Sequence, residues 1–557
     1  MSSLATLGLA ALLLVTGLGA AAAQSPISGG ASDDLLTTAE RSGFAATTTH
    51  AEVRRLLAAL LAADGSRRFA LTSFGRSKEG RELEVLALRR GGWPREKPES
   101  PLDLAALGAA ARADGRVRVL VQANIHGGEV EGKEVALILA REFLEGRHAE
   151  VLDRLQDFLV PLYNADGNDE ISKSHRVSQN GPVEGVGTRE NADGFDLNRD
   201  FIKAETPEAQ ALLGLYAAID PHLMIDLHTT NGSDHAYHLT YAPCLSPNQD
   251  PDLARFQVET QLPELRREVY ANHLFRTFDY GNFEPVPTET GWRTFDHRPR
   301  FATNYFGLRN RLAVLSEAYS YASFETRVRA TRAFVLENLR LAHRHAERIG
   351  ALCAAADARC RLAPGEKGRP GLGWNTAFAP PRPGAVLGSE LDRVPLEGLG
   401  ERLVVKPGLE IRPMPVQVGF VAERRKEHPS AWVVTAAVDE VARDLARHGI
   451  EFERLDADRE FEAEVFEIVA FSRAARPFQG HRIASVEGVY ARRRHRAPKG
   501  SLLVSARQPL ARIAAQLLEP ASEDSLTTWN RFDAALGAEG ETGETPRLHP
   551  VVRILGP

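Results

Sequence analysis

The chain has 557 residues, 43% hydrophobic and 25% charged, with a formal net charge of −6. That is an ordinary globular composition long enough for two domains, and the lack of a basic excess argues against a nucleic-acid partner. Three cysteines are too few for a disulfide framework.

Leu4 to Ala23 is apolar, ends in Ala20-Ala21-Ala22-Ala23 and is followed by the polar Gln24-Ser25-Pro26. This predicts a secretory signal peptide over residues 1–23, cleaved near Ala23, and a secreted or periplasmic protein without stable membrane contact afterwards. Its n-region has no Lys or Arg, so an uncleaved membrane anchor stays open as the alternative. No other stretch is apolar enough to span a bilayer. Residues 24–45 form a polar, small-residue lead-in. Val53, Leu56, Leu57, Leu60 and Leu61 then recur at helical spacing between His50 and Ala63. Arg68 to Thr72 and Leu83 to Leu88 are predicted strands around the turn Gly75 to Gly80, which holds Ser77-Lys78-Glu79-Gly80-Arg81. Gly91-Gly92-Trp93-Pro94 opens a polar loop expected near the functional cleft, and a helix ending near Ala113 leads into the next strand.

That strand, Val117 to Val121, runs into Asn124-Ile125-His126-Gly127-Gly128-Glu129, and a helix is predicted over 131–146. An imidazole and a carboxylate three residues apart thus share a Gly-Gly turn at the carboxyl end of a buried strand, where open α/β sheets keep their ligands. A catalytic zinc site uses three protein ligands and leaves a fourth position open, so one ligand is wanting. Phe158 to Tyr163 is another buried strand, ending in the turn Asn164 to Asn168. The long polar stretch from Ile171 to Asn191 is expected to be a loop facing the site. Pro221 to Leu227 then supplies an apolar run that stops at His228, the favoured third ligand. Leu312 to Ser316 ends in Glu317, placed as a general base. Between them, His235 and His238 mimic a zinc pair but fit a strand beside the site. Arg298-Pro299-Arg300 precedes the base strand and is expected to line a specificity pocket, which would favour acidic substrates.

Gly194-Phe195-Asp196-Leu197-Asn198-Arg199-Asp200 completes the pattern. With H-x-x-E before it and a strand-end His and a strand-end Glu after it, the sequence resembles the zinc carboxypeptidases of the A/B type over residues 46 to 350. Ser77 to Arg81 and Asn164 to Gly167 are similar to further motifs of that family. The resemblance implies a three-layer α/β/α domain with a mixed sheet and one Zn²⁺ held by His126, Glu129 and His228. It also implies Glu317 as base, Asp196 behind a zinc-bound histidine, and Asn198 with Arg199 on the terminal carboxylate of a peptide substrate. The chemistry agrees, because a guanidinium is a planar fork matched to a carboxylate. A cationic donor for the tetrahedral intermediate is also required; Arg189 is the candidate and Arg176 the alternative. Two departures stand out. The family's Asn-Arg-Asn reads Asn198-Arg199-Asp200, setting an acid beside the clamp, and no Tyr lies at the usual distance before the last Glu, so Tyr305 is put forward as the replacement substrate-binding tyrosine.

Phe324 to Ile349 is predicted as one long amphipathic helix, after which Cys353 and Cys360 either pair, leaving Cys244 free, or stay reduced. Residues 351–384 are taken as a linker, Pro- and Gly-rich from Arg361. Residues 385–557 are expected to form a smaller α/β accessory domain, with strands near 403–405, 431–434, 465–470 and 501–505 and helices over 438–448 and 509–518. Arg492-Arg493-Arg494-His495-Arg496 is expected on a solvated edge. The function implied is a zinc metallocarboxypeptidase. A zinc amidase, deacylase or endopeptidase on the same scaffold is the alternative, and a non-catalytic peptide-binding protein the outside one.

Overall fold

A computed structural model describes residues 33–94, 102–230, 232–541 and 547–556. The expected signal peptide lies outside them. Among the described residues no helix is long and apolar enough to cross a membrane.

Ten strands belong to the first two-thirds of the chain: β1 (Phe69–Arg76), β2 (Glu82–Arg89), β3 (Val117–Ala123), β4 (Leu155–Val160), β5 (Leu223–Thr229), β6 (Leu239–Pro243), β7 (Thr277–Asp279), β8 (Asn282–Pro285), β9 (Thr290–Arg293) and β10 (Leu312–Ala318). Eight of them make one sheet in the order β1-β2-β4-β3-β5-β10-β6-β7. β4, β3, β5 and β10 run parallel, while β2 and β6 flank them antiparallel. The central strands are covered on both sides, which is why they read as unbroken apolar runs rather than alternating ones.

Two helix layers cover the sheet. On one face, Gly132 of the helix Glu131–Leu144 packs against Leu227 and Ala123. On the other, Tyr216 of the helix Pro207–Ile219 donates to Gln122, which donates to Asp226. Successive side chains of β3 and β5 therefore point to opposite layers, and Asp226 and His228 share a face. The mixed α/β/α architecture expected from the sequence is present, and the helices His50–Ala63 and Leu104–Ala113 end where periodicity places them. The Ser77 to Arg81 motif is a clasp. The Ser77 hydroxyl, the Glu79 N–H and the Arg81 guanidinium all bond Asp166, tying the β1–β2 turn to the turn after β4.

Several expectations need correction. The Gly91 to Pro94 segment follows β2, whose end pairs with the start of β4, so it lies at the edge of the sheet opposite the ligand turn; Trp93 is buried there and donates to Arg68 O. The long helix is two, Phe324–Arg344 and Ala346–Cys360. Cys353 and Cys360 lie two turns apart on the second, about 10 Å along its axis, beyond disulfide reach, and all three cysteines are free and buried. Residues 351–384 are not all linker, since 351–360 belong to the helix Ala346–Cys360 and strands Gly371–Phe378 and Arg382–Gly388 begin within the rest. The second of these belongs to a four-stranded sheet that includes β8 and β9, so this part of the chain is knitted into the first. Strand Ala431–Val434, helix Val438–His448 and helix Ala511–Leu518 fall close to expectation, and the strand belongs to a seven-stranded sheet whose edge strand, Ala484–Ala497, carries Arg492 to Arg496. Those arginines pair with Asp458, Glu460, Glu462, Glu464 and Glu467.

Candidate metal centre and substrate cleft

The ligand turn is shaped by Asn124, which takes a left-handed φ of 61°. Its amide donates to the carbonyls of His126, Gly127 and Glu129, folding the chain back on itself. Both glycines are required by close approach: a Cβ on Gly127 would lie 2.2 Å from the Gly167 carbonyl carbon, and one on Gly128 would lie 2.6 Å from Gly187 O. The turn is thus wedged between the turn after β4 and the 171–191 loop.

This brings His126 and Glu129 against His228 at the end of β5. One ligand atom from each lies within 4.8 Å of the others, and all three residues are buried. His126 Nδ1 is 3.0 Å from Glu129 Oε1 and His228 Nδ1 is 2.9 Å from Glu129 Oε2. Burial would raise the Glu129 carboxyl, but the charges of His126 and Arg176 and its hydrogen bonds to the two histidines hold it well below the usual range. Behind each ring stands a second carboxylate. His126 Nε2 is 3.1 Å from Asp196 Oδ1 and His228 Nε2 is 3.0 Å from Asp226 Oδ2, the latter at ion-pair distance without hydrogen-bond alignment. A carboxylate at Nε2 fixes the ring tautomer and turns the Nδ1 lone pair toward a metal. Two imidazoles and one carboxylate, with Nδ1 atoms converging and acids behind them, fit a zinc ion with an open position. Asp226 was not assigned a role in the sequence; its i, i+2 spacing from His228 on a strand was the available signal.

Glu317 sits on β10 directly opposite His228 in the parallel register. Burial pushes its carboxyl up to about 8, and its Oε2 is buried without a partner. Both face a cavity of about 180 Å³ lined by His126, Glu129, His228, Arg189, Asn198 and Arg199, with Tyr280, Phe295, Asp296, Phe301, Thr303 and Leu315 among its walls. Arg189 grips Asp196 through Nε and Nη2 at 3.0 and 2.7 Å while lining the cavity. Arg176 instead stands against Glu129, with Nη1 3.1 Å from Oε1, and donates to Thr229 O. Asn198 is pinned by the Ala302 N–H donating to its Oδ1, and the Arg199 guanidinium lies over the Phe301 ring at 4.0 Å.

Tyr305, Arg298, Arg300 and Asp200 are placed differently from expectation. Tyr305 is fully buried and its hydroxyl meets His448 Nδ1 at 2.8 Å, outside the cavity wall, so it is a core residue. The cavity tyrosine is Tyr280, which enters between β7 and β8, where a short irregular connection gives no periodicity to read. Arg298 pairs with Asp296, and Arg300 is buried on Asp524, so neither lines the cavity and the preference for acidic substrates loses its basis. Asp200 turns away from Asn198 and Arg199, taking hydrogen bonds from Lys203 and from Thr206 N and Oγ1. His235 is buried, and the Tyr237 N–H donates to its Nδ1; neither it nor His238 is part of the His126, Glu129 and His228 group.

Residues 56–231 match a family model described as zinc carboxypeptidase. The matched segment contains both histidines, Glu129, Asp196, Asn198 and Arg199, and Glu317 lies beyond it. Among individual relatives, carboxypeptidase D of Rattus norvegicus is 32% identical over 160 residues, covering 26% of this chain and 11% of the relative. Carboxypeptidase Z of Homo sapiens is 32% identical over 162 residues, covering 28% and 22%. The chain therefore spans less than a quarter of the length of these relatives. A metallo-carboxypeptidase structure from Pseudomonas aeruginosa aligns at a TM-score of 0.37 and 21% identity, over 52% of this chain and 68% of its own.

Proposed function

We propose that this chain is a zinc-dependent carboxypeptidase that removes single residues from peptides with a free C-terminus. The observation that carries the reading is the shared cavity, in which the His126, Glu129 and His228 cluster, the unpartnered Glu317 and the Asn198–Arg199 pair face one another. Zinc bound by that cluster supplies Lewis acidity, polarising a carbonyl and lowering the pKa of water. Arg199, stiffened by Phe301, forks onto the terminal carboxylate and Asn198 adds an amide donor. Glu317 takes the proton of the attacking water and delivers it to the leaving amine; the burial that raises its pKa suits it to both halves of that transfer. Arg189, held by Asp196, presents its cation to the developing oxyanion. With this reading goes export from the cytoplasm, supported by Leu4 to Ala23 alone.

The test is hydrolysis of paired C-terminally free and amidated peptides, with and without a chelator, beside Glu317→Gln. Chelator-sensitive release of single residues from free peptides only is expected, and the variant should lose at least about 100-fold in kcat while keeping its zinc. Equal cleavage of amidated peptides would move the function to an amidase or endopeptidase. Turnover unaffected by Glu317→Gln would remove the assigned base.

A further inference from the structure

We propose that Gln479, in the C-terminal third of the chain and far outside the family-matched segment, is a positioning residue for the metal centre, acting through Asp196. The inference rests on the zinc reading above and extends it to a part of the chain that carries none of the ligands.

Asp196 is the hub of the site. Its Oδ1 meets His126 Nε2 and accepts the Asn198 N–H, its Oδ2 accepts Arg189, and Arg199 Nη1 lies 3.6 Å away. One carboxylate thus holds a metal ligand, the oxyanion arginine and the first residue of the clamp. Its own backbone must be fixed for those bonds to have direction. The preceding turn closes on itself, since Asn191 Oδ1 accepts both the Asp193 and Phe195 N–H groups, but it does not satisfy the N–H of Asp196. That N–H donates 3.0 Å to Gln479 Oε1, a side chain 283 positions further on. A buried backbone donor needs an acceptor, and here the acceptor comes from another part of the molecule.

Gln479 is presented for this task by a tight turn at the tip of a hairpin. Phe478 and His481 exchange backbone hydrogen bonds across it, and the two residues between them, Gln479 at φ 50° and Gly480 at φ 80°, are both left-handed. For Gln that backbone conformation is uncommon and costs free energy, so the surroundings must hold it. Gly480 fits under the Phe195 ring, where a Cβ would sit 3.3 Å from a ring carbon. His481 Nε2 lies 2.8 Å from Glu205 Oε2, and Phe478 lies against the Arg300 guanidinium. The turn is therefore docked on both flanks of Gln479, and the Asp196 amide meets its side chain at the centre.

Groups that support a metal-bound histidine from behind typically change metal affinity or activity about 10- to 100-fold when removed. Gln479 stands one bond further out, so the lower figure is expected. The experiment uses the full chain and measures the zinc dissociation constant by chelator competition, the visible d–d spectrum of the Co²⁺-loaded protein, and kcat and KM. Gln479→Leu keeps the bulk and removes the acceptor; it should weaken zinc about 10-fold, shift the cobalt bands and lower kcat by a similar factor. Gln479→Glu keeps an acceptor oxygen at the same reach and should restore most of the affinity. His481→Ala loosens the turn from Glu205 without touching the Asp196 amide and should retain more affinity than Gln479→Leu. Wild-type zinc affinity and an unshifted cobalt spectrum in Gln479→Leu would overturn the proposal, as would an equal loss in His481→Ala. A wild type that binds zinc but cleaves no peptide would sink the peptidase reading and leave the zinc and cobalt measurements to decide this one.

Discussion

Individual side chains divide into those whose chemistry is legible in a motif and those whose partners are distant. Asp226 belongs to the second kind, and it stands behind His228 as Asp196 stands behind His126. Asp226→Asn removes the charge and keeps the shape, so zinc affinity should fall about 10-fold or more while the apo protein melts almost unchanged. Chelator competition beside apo melting checks this, and unchanged affinity would deny Asp226 its supporting role. A second buried acid has no role in the site. Asp157, in the middle of β4, has both carboxylate oxygens buried without a partner, and burial pushes its pKa up to about 8. In the unfolded chain it ionises near its ordinary value of about 4. Between these values the folded state binds the extra proton, so stability falls as pH rises from about 4 to about 8, at up to about 1.4 kcal/mol per unit. Asp157→Asn should flatten that slope and gain on the order of 2–4 kcal/mol at pH 7. Urea unfolding at pH 5 and pH 8 reads this directly, and parallel pH profiles for the two proteins would show that Asp157 is already ionised in the fold.

At the scale of elements, the glycine turn after β3 sets the site. Gly127→Ala drives a Cβ into the backbone of Gly167, which has no side chain to yield. The expected cost is about 3 kcal/mol, with loss of stoichiometric zinc because His126 and Glu129 flank the clash. Gly194→Ala is the matched control. It is left-handed at φ 77° with open space around it, so it bears conformational strain alone, about 1 kcal/mol. Similar melting temperatures for the two variants would mean the turn relaxes freely. The central elements were legible because β3, β5 and β10 are buried on both faces and lead directly to His126 and Glu129, to His228 and to Glu317, so composition and boundary coincide. The same logic fails where burial is one-sided or absent. Ala484–Ala497 carries a run of arginines because its charges are matched by acids on the neighbouring strand, which local hydrophobicity cannot report. Tyr305 and Tyr280 show the limit for the site itself: sequence distance favoured the first, but a short helix buries it against His448 while an irregular connection delivers the second. Arg298 and Arg300 depart from expectation for a related reason: Arg298 is held by Asp296, which itself lines the cavity, and Arg300 by Asp524, 224 positions away, so neither guanidinium reaches the cavity wall.

Across the whole molecule, the C-terminal third is held to the rest by buried polar contacts rather than by a tether. Arg300 donates to Asp524 through its backbone N–H, Nε and Nη2, and its guanidinium lies over the Trp529 ring, whose Nε1–H donates to the same carboxylate. Tyr305, His448 and Ile202 form a second such chain, with the His448 Nε2–H donating to Ile202 O. Breaking a buried ion pair from one side strands the other charge and costs about 3–5 kcal/mol, far more than the pair itself contributes. Arg300→Leu should therefore lower stability by that amount, and adding Asp524→Asn, which neutralises the stranded acid and keeps an acceptor for Trp529, should recover part of it. Because the contacts span both parts of the chain, calorimetry of the wild type should show one cooperative transition. Saturating zinc should raise the whole of it, by about 4 kcal/mol at a thousand times its dissociation constant. Two transitions, with only the first moved by zinc and neither moved by Arg300→Leu, would mean that the two parts fold independently. The route from Gln479 to Asp196 would then have to act without cooperative coupling, and zinc could not stabilise the hairpin that supports its own site.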